Sequence, residues 1–495
     1  MPPHNQILSL ARAGNPVRAW ERFGSLGLAD ATTDVKALTL KGRLLKDLGD
    51  RAEGEEKLRL YRDASAAYLA ANALGTDTYP LINAATLALL SQDQSEAARL
   101  AQQVLDLIEA DPGEGETPFW REATRAEALL LLGQNSAAQA ALADGIAKLP
   151  RAFEDHAATI GQFERILTAT LSDASWLDQF RPAPAVHFSG LIGLDSTNPD
   201  LAQGIAAETK TLAPGFAYGA LAAGADIMIA EAMLEAGASL HIVLPFDREQ
   251  FRAISVEPYG AQWCERFDRL LGEAEAVDEL WHVEKHAHAQ LASLVNAGDL
   301  VAMGQTLRRA GSLRTKAHAL SITAQGEAHR SHLQIWDQAG LPLKIIETKR
   351  AGNGSPESAV RRGRKPIAAC LSVRGATAAQ LSAARIGAGM EMLEGTETIE
   401  LCGAMQLCLE EVGRLHAIYP EAAVGIAACP FGDDHSNTAT AALASRLALS
   451  AQPGQTFADY NTAMIAKVLS PKSRVEEMGE VSALTGPLTV CAIAI

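Results

Sequence analysis

Through roughly the first 175 residues the apolar positions recur at helical spacing, and no segment alternates with the two-residue period of a strand. Helix-to-loop punctuation falls at Leu48-Gly49-Asp50, Ser91-Gln92-Asp93 and Leu132-Gly133-Gln134, about 42 residues apart. Each point divides one leucine- or alanine-rich segment from the next; Asn83–Leu90 precedes a turn and Ala97–Ala101 comes after it. Small residues at contact positions let paired helices approach closely, so the pattern predicts stacked, irregular helix pairs that bury a continuous seam. An ordinary helical bundle satisfies the same pattern. The run Asp111–Glu116 reads as a solvated acidic connection.

The grammar changes after Arg181-Pro182-Ala183-Pro184. Ala185–Gly190 reads as a buried strand, Asp200–Ala213 and Ile227–Ala236 as helices, and Gly237–Pro245 as a helix end running into another buried strand. Val277–Val283 and Leu333–Asp337 are expected to add further strands. Strands alternating with helices predict a mainly parallel sheet covered by helices. A Gly-, Ser- and Arg-rich stretch from Lys349 to Pro366 reads as a tether, and residues 367–495 mix strands and helices again. The expected organisation is an all-α repeat domain over 1–178, an α/β domain over 179–348, a linker over 349–366 and a second α/β domain over 367–495.

Composition narrows the classes. Of 495 residues, 43 are Lys or Arg and 59 Asp or Glu, a formal charge of −16, which argues against a general nucleic-acid binder. The N-terminus lacks a basic stretch followed by an apolar core, and no uninterrupted apolar run reaches membrane-spanning length, so a cytoplasmic protein is expected. The six cysteines contain no C-x-x-C pair and are expected to be reduced, buried thiols. His282, His286 and His288 cross a predicted strand end, so their side chains should diverge, and no metal site is expected there.

The sharpest local signal is Tyr218-Gly219-Ala220-Leu221-Ala222-Ala223-Gly224-Ala225-Asp226 at a strand-to-helix turn. Glycines there let the backbone approach a ligand, and a helix N-terminus offers free N–H groups to phosphate. Ser189 and Gly190, ending the first strand, would line the same crevice. The run Gly219–Pro245 resembles the SLOG superfamily, which includes the DNA-processing protein DprA and the cytokinin-activating LOG enzymes, through Gly219, Gly224, Ala225 and Asp226. That resemblance implies a Rossmann-like fold and a nucleotide-type ligand. The Pro-Gly-Gly-x-Gly-Thr-x-x-Glu motif of LOG-type phosphoribohydrolases is absent, so sensing ranks above hydrolysis. Glu231, one turn past Asp226, either acts on a ribose or braces the helix.

Ala368–Gly375 resembles the first strand of class III adenylate/guanylate cyclases, and Leu401–Met405, Val424–Pro430, Ser445–Leu447, Pro453–Thr456 and Met478–Gly486 come after it in the family's order. The resemblance implies an α/β ferredoxin-like domain. Cyclase chemistry needs two aspartates to hold divalent cations against the triphosphate. The matching positions carry Ser372 and Ala404, Ala442 takes the place of the family's Asn, and Thr485 that of its base-contacting Lys; only Arg446 is retained. The domain is therefore expected to be catalytically dead and kept for dimerisation or for a nucleotide pocket without turnover.

The N-terminal helices resemble tetratricopeptide-like repeats set before a sensor module in bacterial signalling proteins. The expected protein is a non-enzymatic signalling adaptor that binds a protein partner through its repeats, senses a nucleotide-type ligand, forms a homo-oligomer through the cyclase-like domain, and carries no resident cofactor. An N-glycosidase-like hydrolase acting through Asp226 or Glu231, and a structural assembly subunit without ligand, are the alternatives.

Overall fold

The computed structural model describes all residues except 1–2, 13, 76, 111–116, 196, 284–290, 328–329, 350–366, 395–396, 430–433 and 484–485. The acidic loop 111–116, nearly all of the 349–366 linker, His286, His288 and Thr485 thus lie outside the described residues. Two compact units result: Met1–Pro182 with Ser312–Arg314, and Ala183–Gly311 with Thr315–Ile495. Among the described residues no helix is long and apolar enough to cross a membrane.

In the first unit, helices Val35–Gly49 and Gly54–Asn72, Thr78–Leu90 and Gln94–Ala110, and Pro118–Leu131 and Asn135–Lys148 pack as successive pairs, followed by Phe153–Ala169. Side-chain caps set several starts: Asp34 accepts from the N–H groups of Lys36 and Ala37, Asp77 from Tyr79, and Thr117 from Trp120. Close pairing depends on small residues. A Cβ on Gly42 would come within 2.7 Å of the Tyr68 ring.

The second unit holds two sheets. Strands β1 (Ala185–Ser189), β2 (Phe216–Gly219), β3 (Ser239–Leu244), β4 (Leu280–His282), β5 (Ala317–Ala324) and β6 (Leu343–Thr348) form an all-parallel sheet in the order β4-β3-β2-β1-β5-β6. Strands β1 and β2 are buried along their whole length, as a sheet covered on both faces requires. The chain moves outward from β1 to β4, then crosses back to place β5 on the other side of β1. The order reverses between β1 and β5, and sheets of this kind bind ligands beyond the carboxyl ends of the strands at such a point.

The segment Leu333–Asp337, expected as a strand, is instead part of helix Ser331–Gln338. Its apolar residues Leu333 and Trp336 are three apart, and both are buried with His332, which is a helical face rather than an alternation. The strand that flanks β1 is β5, whose sequence Ala-His-Ala-Leu-Ser-Ile-Thr-Ala carries small and polar residues in a buried position.

The second sheet comprises β7 (Ala368–Arg374), β8 (Glu391–Glu394), β9 (Ile399–Ala404), β10 (Ala423–Cys429), β11 (Thr456–Asp459), β12 (Arg474–Ala483) and β13 (Gly486–Ala494), in the order β12-β13-β11-β10-β7-β9-β8. Only the β10–β11 pair is parallel. The antiparallel register sets Cys370 opposite Cys402, and the two form a disulfide, which corrects the expectation of six reduced thiols. Trp281 ties the sheets together: its indole N–H donates to Asn461 Oδ1 at 2.8 Å and its ring lies 4.3 Å from that of Tyr460. Arg308 and Glu477 add an ion pair at 2.7 Å.

Candidate functional site

The carboxyl ends of β1 and β5 gather an unusual set of polar side chains for a hydrophobic interior. His187 and Ser189 alternate with Phe188 on β1, so both project to the same face of the sheet. Ser321 lies beside Ser189 in the β1–β5 register. Helix Leu291–Ser312, which leads into β5, supplies Asp299, and helix Ser331–Gln338, which leaves it, supplies His332 near its start. Arg330 precedes that helix, and Asp226 stands in the first turn of helix Ala225–Glu235.

These groups form a chain. His332 Nδ1 lies 3.1 Å from Asp299 Oδ2, His332 Nε2 lies 3.2 Å from Ser189 Oγ, and Ser189 Oγ lies 3.3 Å from Ser321 Oγ. The His187 ring stands edge-on to that of His332, with centroids 5.8 Å apart. One atom from each of His187, Asp299 and His332 lies within 4.8 Å of the other two. The Tyr218 backbone is near, yet neither ring nitrogen of His187 makes a well-formed hydrogen bond. Arg330 donates to the Gly190 carbonyl at 2.6 Å.

Burial governs the electrostatics. Desolvation pushes both imidazoles down to about 3, with the neighbouring positive charge adding to the effect, so both rings are neutral at ordinary pH. Desolvation pushes Asp226 up to about 8 against the pull of Arg330, and it raises Asp299 as well. Asp226 Oδ2 accepts the Ala222 N–H at 3.2 Å, while Oδ1 is buried without a well-formed partner.

The Ser–His–Asp order has the connectivity of a nucleophilic triad. Ser189 is only 3% exposed and lodged against Ser321, so a substrate carbonyl does not reach it in this conformation. Two neutral imidazoles and a carboxylate converging in one place also suit a divalent cation.

The glycines of the expected turn pack closely against this chain's own backbone. Gly224 has φ +124°, and a Cβ there would fall 2.5 Å from the Leu191 carbonyl oxygen. A Cβ on Gly219 would fall 2.5 Å from the Phe188 carbonyl, and one on Gly190 2.3 Å from the Ala225 Cβ. Gly224 also pairs with Ile192 in an isolated bridge, and the Ala225 N–H donates to the Leu191 carbonyl. The space a ligand backbone would need is filled by segment 191–194 of this chain. Glu231 is held by arginines: its oxygens accept from Arg266 Nε at 3.0 Å and from Arg269 at 2.6 Å. Ser189, Gly190 and Asp226 do come together at this end of the sheet. His187, Asp299, Arg330 and His332, which join them, have no shared motif and come from three places: β1, helix Leu291–Ser312 and the start of helix Ser331–Gln338.

In the second sheet Ser372 and Ala404 do not face each other. Ser372 pairs in register with Glu400 and Gly425, and Ala404 with Ala368, four positions along the ladder. The face carrying Ser372 lies beneath helix Asp434–Ser450, since a Cβ on Gly425 would meet the Ala444 carbonyl. Ser372 is fully buried and its hydroxyl has no partner. Ala442 and Arg446 are exposed on that helix.

No protein-family model matches this chain, and no curated protein is significantly similar to it.

Proposed function

We propose that the chain is a non-enzymatic signalling adaptor whose parallel-sheet domain, SLOG-like and Rossmann-like in kind, senses a small nucleotide-type ligand at the carboxyl edge of β1 and β5. The observation that carries this proposal is the convergence of Ser189, Asp226, Arg330 and His332 where the strand order reverses. Arg330 is the group to meet a phosphate and Asp226 the group to hydrogen-bond a sugar or base, while Ser189, buried against Ser321 and His332, braces the site. The glycine turn serves as the packing that holds this edge in place.

The helical unit is proposed to bind a protein partner. Its support is a groove of about 940 Å³ lined by Trp20, Leu38, Lys41, Leu45 and Arg51 among others. The second sheet is proposed as a degenerate cyclase-like domain that dimerises. Its first four strands in the chain run in the order β10-β7-β9-β8, the fourth-first-third-second arrangement of a ferredoxin-like unit, and Ser372 offers no anionic ligand. A cytoplasmic address belongs to the same proposal. The Cys370–Cys402 bond runs against it, because lasting disulfides are uncommon there. The hydrolytic alternative, assigned to Asp226 or Glu231, is left with Asp226, since Glu231 is tied to Arg266 and Arg269.

Calorimetry of the full chain against a panel of mono- and dinucleotides tests the sensing proposal. Micromolar binding that weakens at least tenfold in Arg330→Ala is expected; no heat with any member of the panel sinks it. Formation of cyclic nucleotide in the presence of Mn²⁺ would overturn the dead-cyclase assignment.

A further inference from the structure

We infer that His187, Asp299 and His332 form a binding site for one borderline divalent cation, Zn²⁺ by preference, with a fourth position left to water or ligand. Two imidazoles and one carboxylate are a donor set that zinc takes in open sites. With metal–ligand bonds of about 2.0–2.1 Å, tetrahedral ligand atoms stand about 3.3 Å apart. The Asp299 Oδ2 to His332 Nδ1 edge is already 3.1 Å. His187 lies within 4.8 Å of both, so a shift of its ring on the order of 1 Å completes the triangle.

A second, independent observation is the state of His187. It is wholly buried, and neither ring nitrogen has a well-formed hydrogen bond. Buried polar groups are nearly always satisfied, and one that is not calls for a reason. A cation supplies it for one nitrogen, leaving the other, protonated, beside the Tyr218 backbone. The other groups fit supporting places. With Nδ1 toward the cation, His332 carries its proton on Nε2 and donates it to Ser189 Oγ, which is held in turn by Ser321. A ligating histidine is normally oriented in this way by its other nitrogen. Ser331 Oγ donates to Asn296 Oδ1 at 2.9 Å, which pins the start of the helix bearing His332 to the helix bearing Asp299. Among the described residues Arg330 is the neighbouring charge that opposes a cation, and the carboxylates of Asp226 and Asp299 both lie within its field. The site shares Ser189 and His332 with the nucleotide proposal without resting on it, and it removes the triad option, because His332 Nδ1 cannot face a cation and donate to Asp299 at once.

Elemental analysis and metal titration of the full chain test the site. The purified protein is expected to carry close to one zinc per chain. Chelator-stripped protein should take up one Co²⁺ with the intense visible absorption of a four-coordinate centre, which Zn²⁺ then displaces. His187→Gln and Asp299→Asn should each weaken Zn²⁺ binding at least a hundredfold, and Ser189→Ala about tenfold. His187→Gln also removes a buried ring packed against His332 and Trp336, and if it fails to fold, Asp299→Asn supplies the same readout. Stripped protein that takes up neither ion overturns the inference. So does Zn²⁺ binding of unchanged strength in His187→Gln or Asp299→Asn, which would place the ion elsewhere. Iron in place of zinc, with Co²⁺ uptake in six-coordinate form, would overturn the preference for zinc.

Discussion

Glu127 in the helical unit and Asp226 in the α/β unit are both carboxylates withdrawn from water, and desolvation pushes them up to about 7 and about 8. Their surroundings differ. Glu127 Oε1 accepts from Thr86 Oγ1 at 2.6 Å and from Gln162 Nε2 at 3.2 Å, so one side chain ties helix Pro118–Leu131 to helices Thr78–Leu90 and Phe153–Ala169. Asp226 has one oxygen on the Ala222 N–H and the other without a well-formed partner, the Gly190 backbone lying near, and it looks toward Arg330 and Asp299. A satisfied buried acid specifies how elements pack; a half-satisfied one, among other groups of the same kind, marks a place kept for chemistry.

The largest expected effect tests whether the turn beside Asp226 belongs to packing or to the ligand. Gly224→Val places a side chain against the Leu191 carbonyl in a backbone conformation that valine resists. It should destabilise the second unit by more than about 3 kcal/mol, seen as lost soluble protein or a lower midpoint in denaturant. A well-folded Gly224→Val that loses only ligand affinity would restore the turn as a ligand cradle.

Next in size is the pH response of Glu127. Its folded-state value lies above the ordinary 4.5, so between pH 4.5 and about 7 the folded chain holds a proton that the unfolded chain has released. Stability from this group therefore falls as pH rises through that window and levels off above it, by about 3 kcal/mol in all. Glu127→Gln keeps the neutral form at every pH. It should match the parent near pH 4.5 and exceed it by about 3 kcal/mol at pH 8, read as thermal midpoints across pH. Equal pH profiles for the two proteins would show that Glu127 is not desolvated as described.

These two sites also show what is legible in the chain. The turns of the helical unit and the strand β1 can be read because their periodicity and punctuation are local. Strand β5 escapes such a reading because Ala317–Ala324 mixes His, Ser and Thr into a central strand, where neighbours on both sides rather than composition decide burial. Helix Ser331–Gln338 reads as a strand because only two apolar residues mark its buried face. Ser189, Gly190 and Asp226 are legible through their place at strand and helix ends. His187, Asp299 and His332 are spread over 146 positions, and only the crossover that sets β5 beside β1 brings them together. The one signal that could have found them is a histidine inside a segment otherwise read as buried strand.

A smaller effect is expected at Glu231. Its ion pairs with Arg266 and Arg269 are partly exposed, so Glu231→Gln should cost about 1 kcal/mol of stability. Nucleotide affinity and metal uptake should be unchanged. A loss of either without loss of stability would move Glu231 from the brace into the site.

The smallest effect separates the two sheets. Ser372 resembles His187 in being wholly buried with an unpartnered polar atom, but its register neighbours are Glu400 and Gly425, and helix Asp434–Ser450 covers that face. Glu400 is itself engaged, accepting from Thr398 Oγ1 at 2.6 Å, so no second free ligand stands near the hydroxyl. An isolated buried hydroxyl gives nothing to a cation and costs a little desolvation. Ser372→Ala should leave stability unchanged or raise it by up to about 1 kcal/mol, with metal content unaltered. His187→Gln should instead abolish that content. A Ser372→Ala variant less stable by more than about 1 kcal/mol would mean that the hydroxyl has a partner, and the likeness between the two orphaned groups would then carry no weight in either sheet.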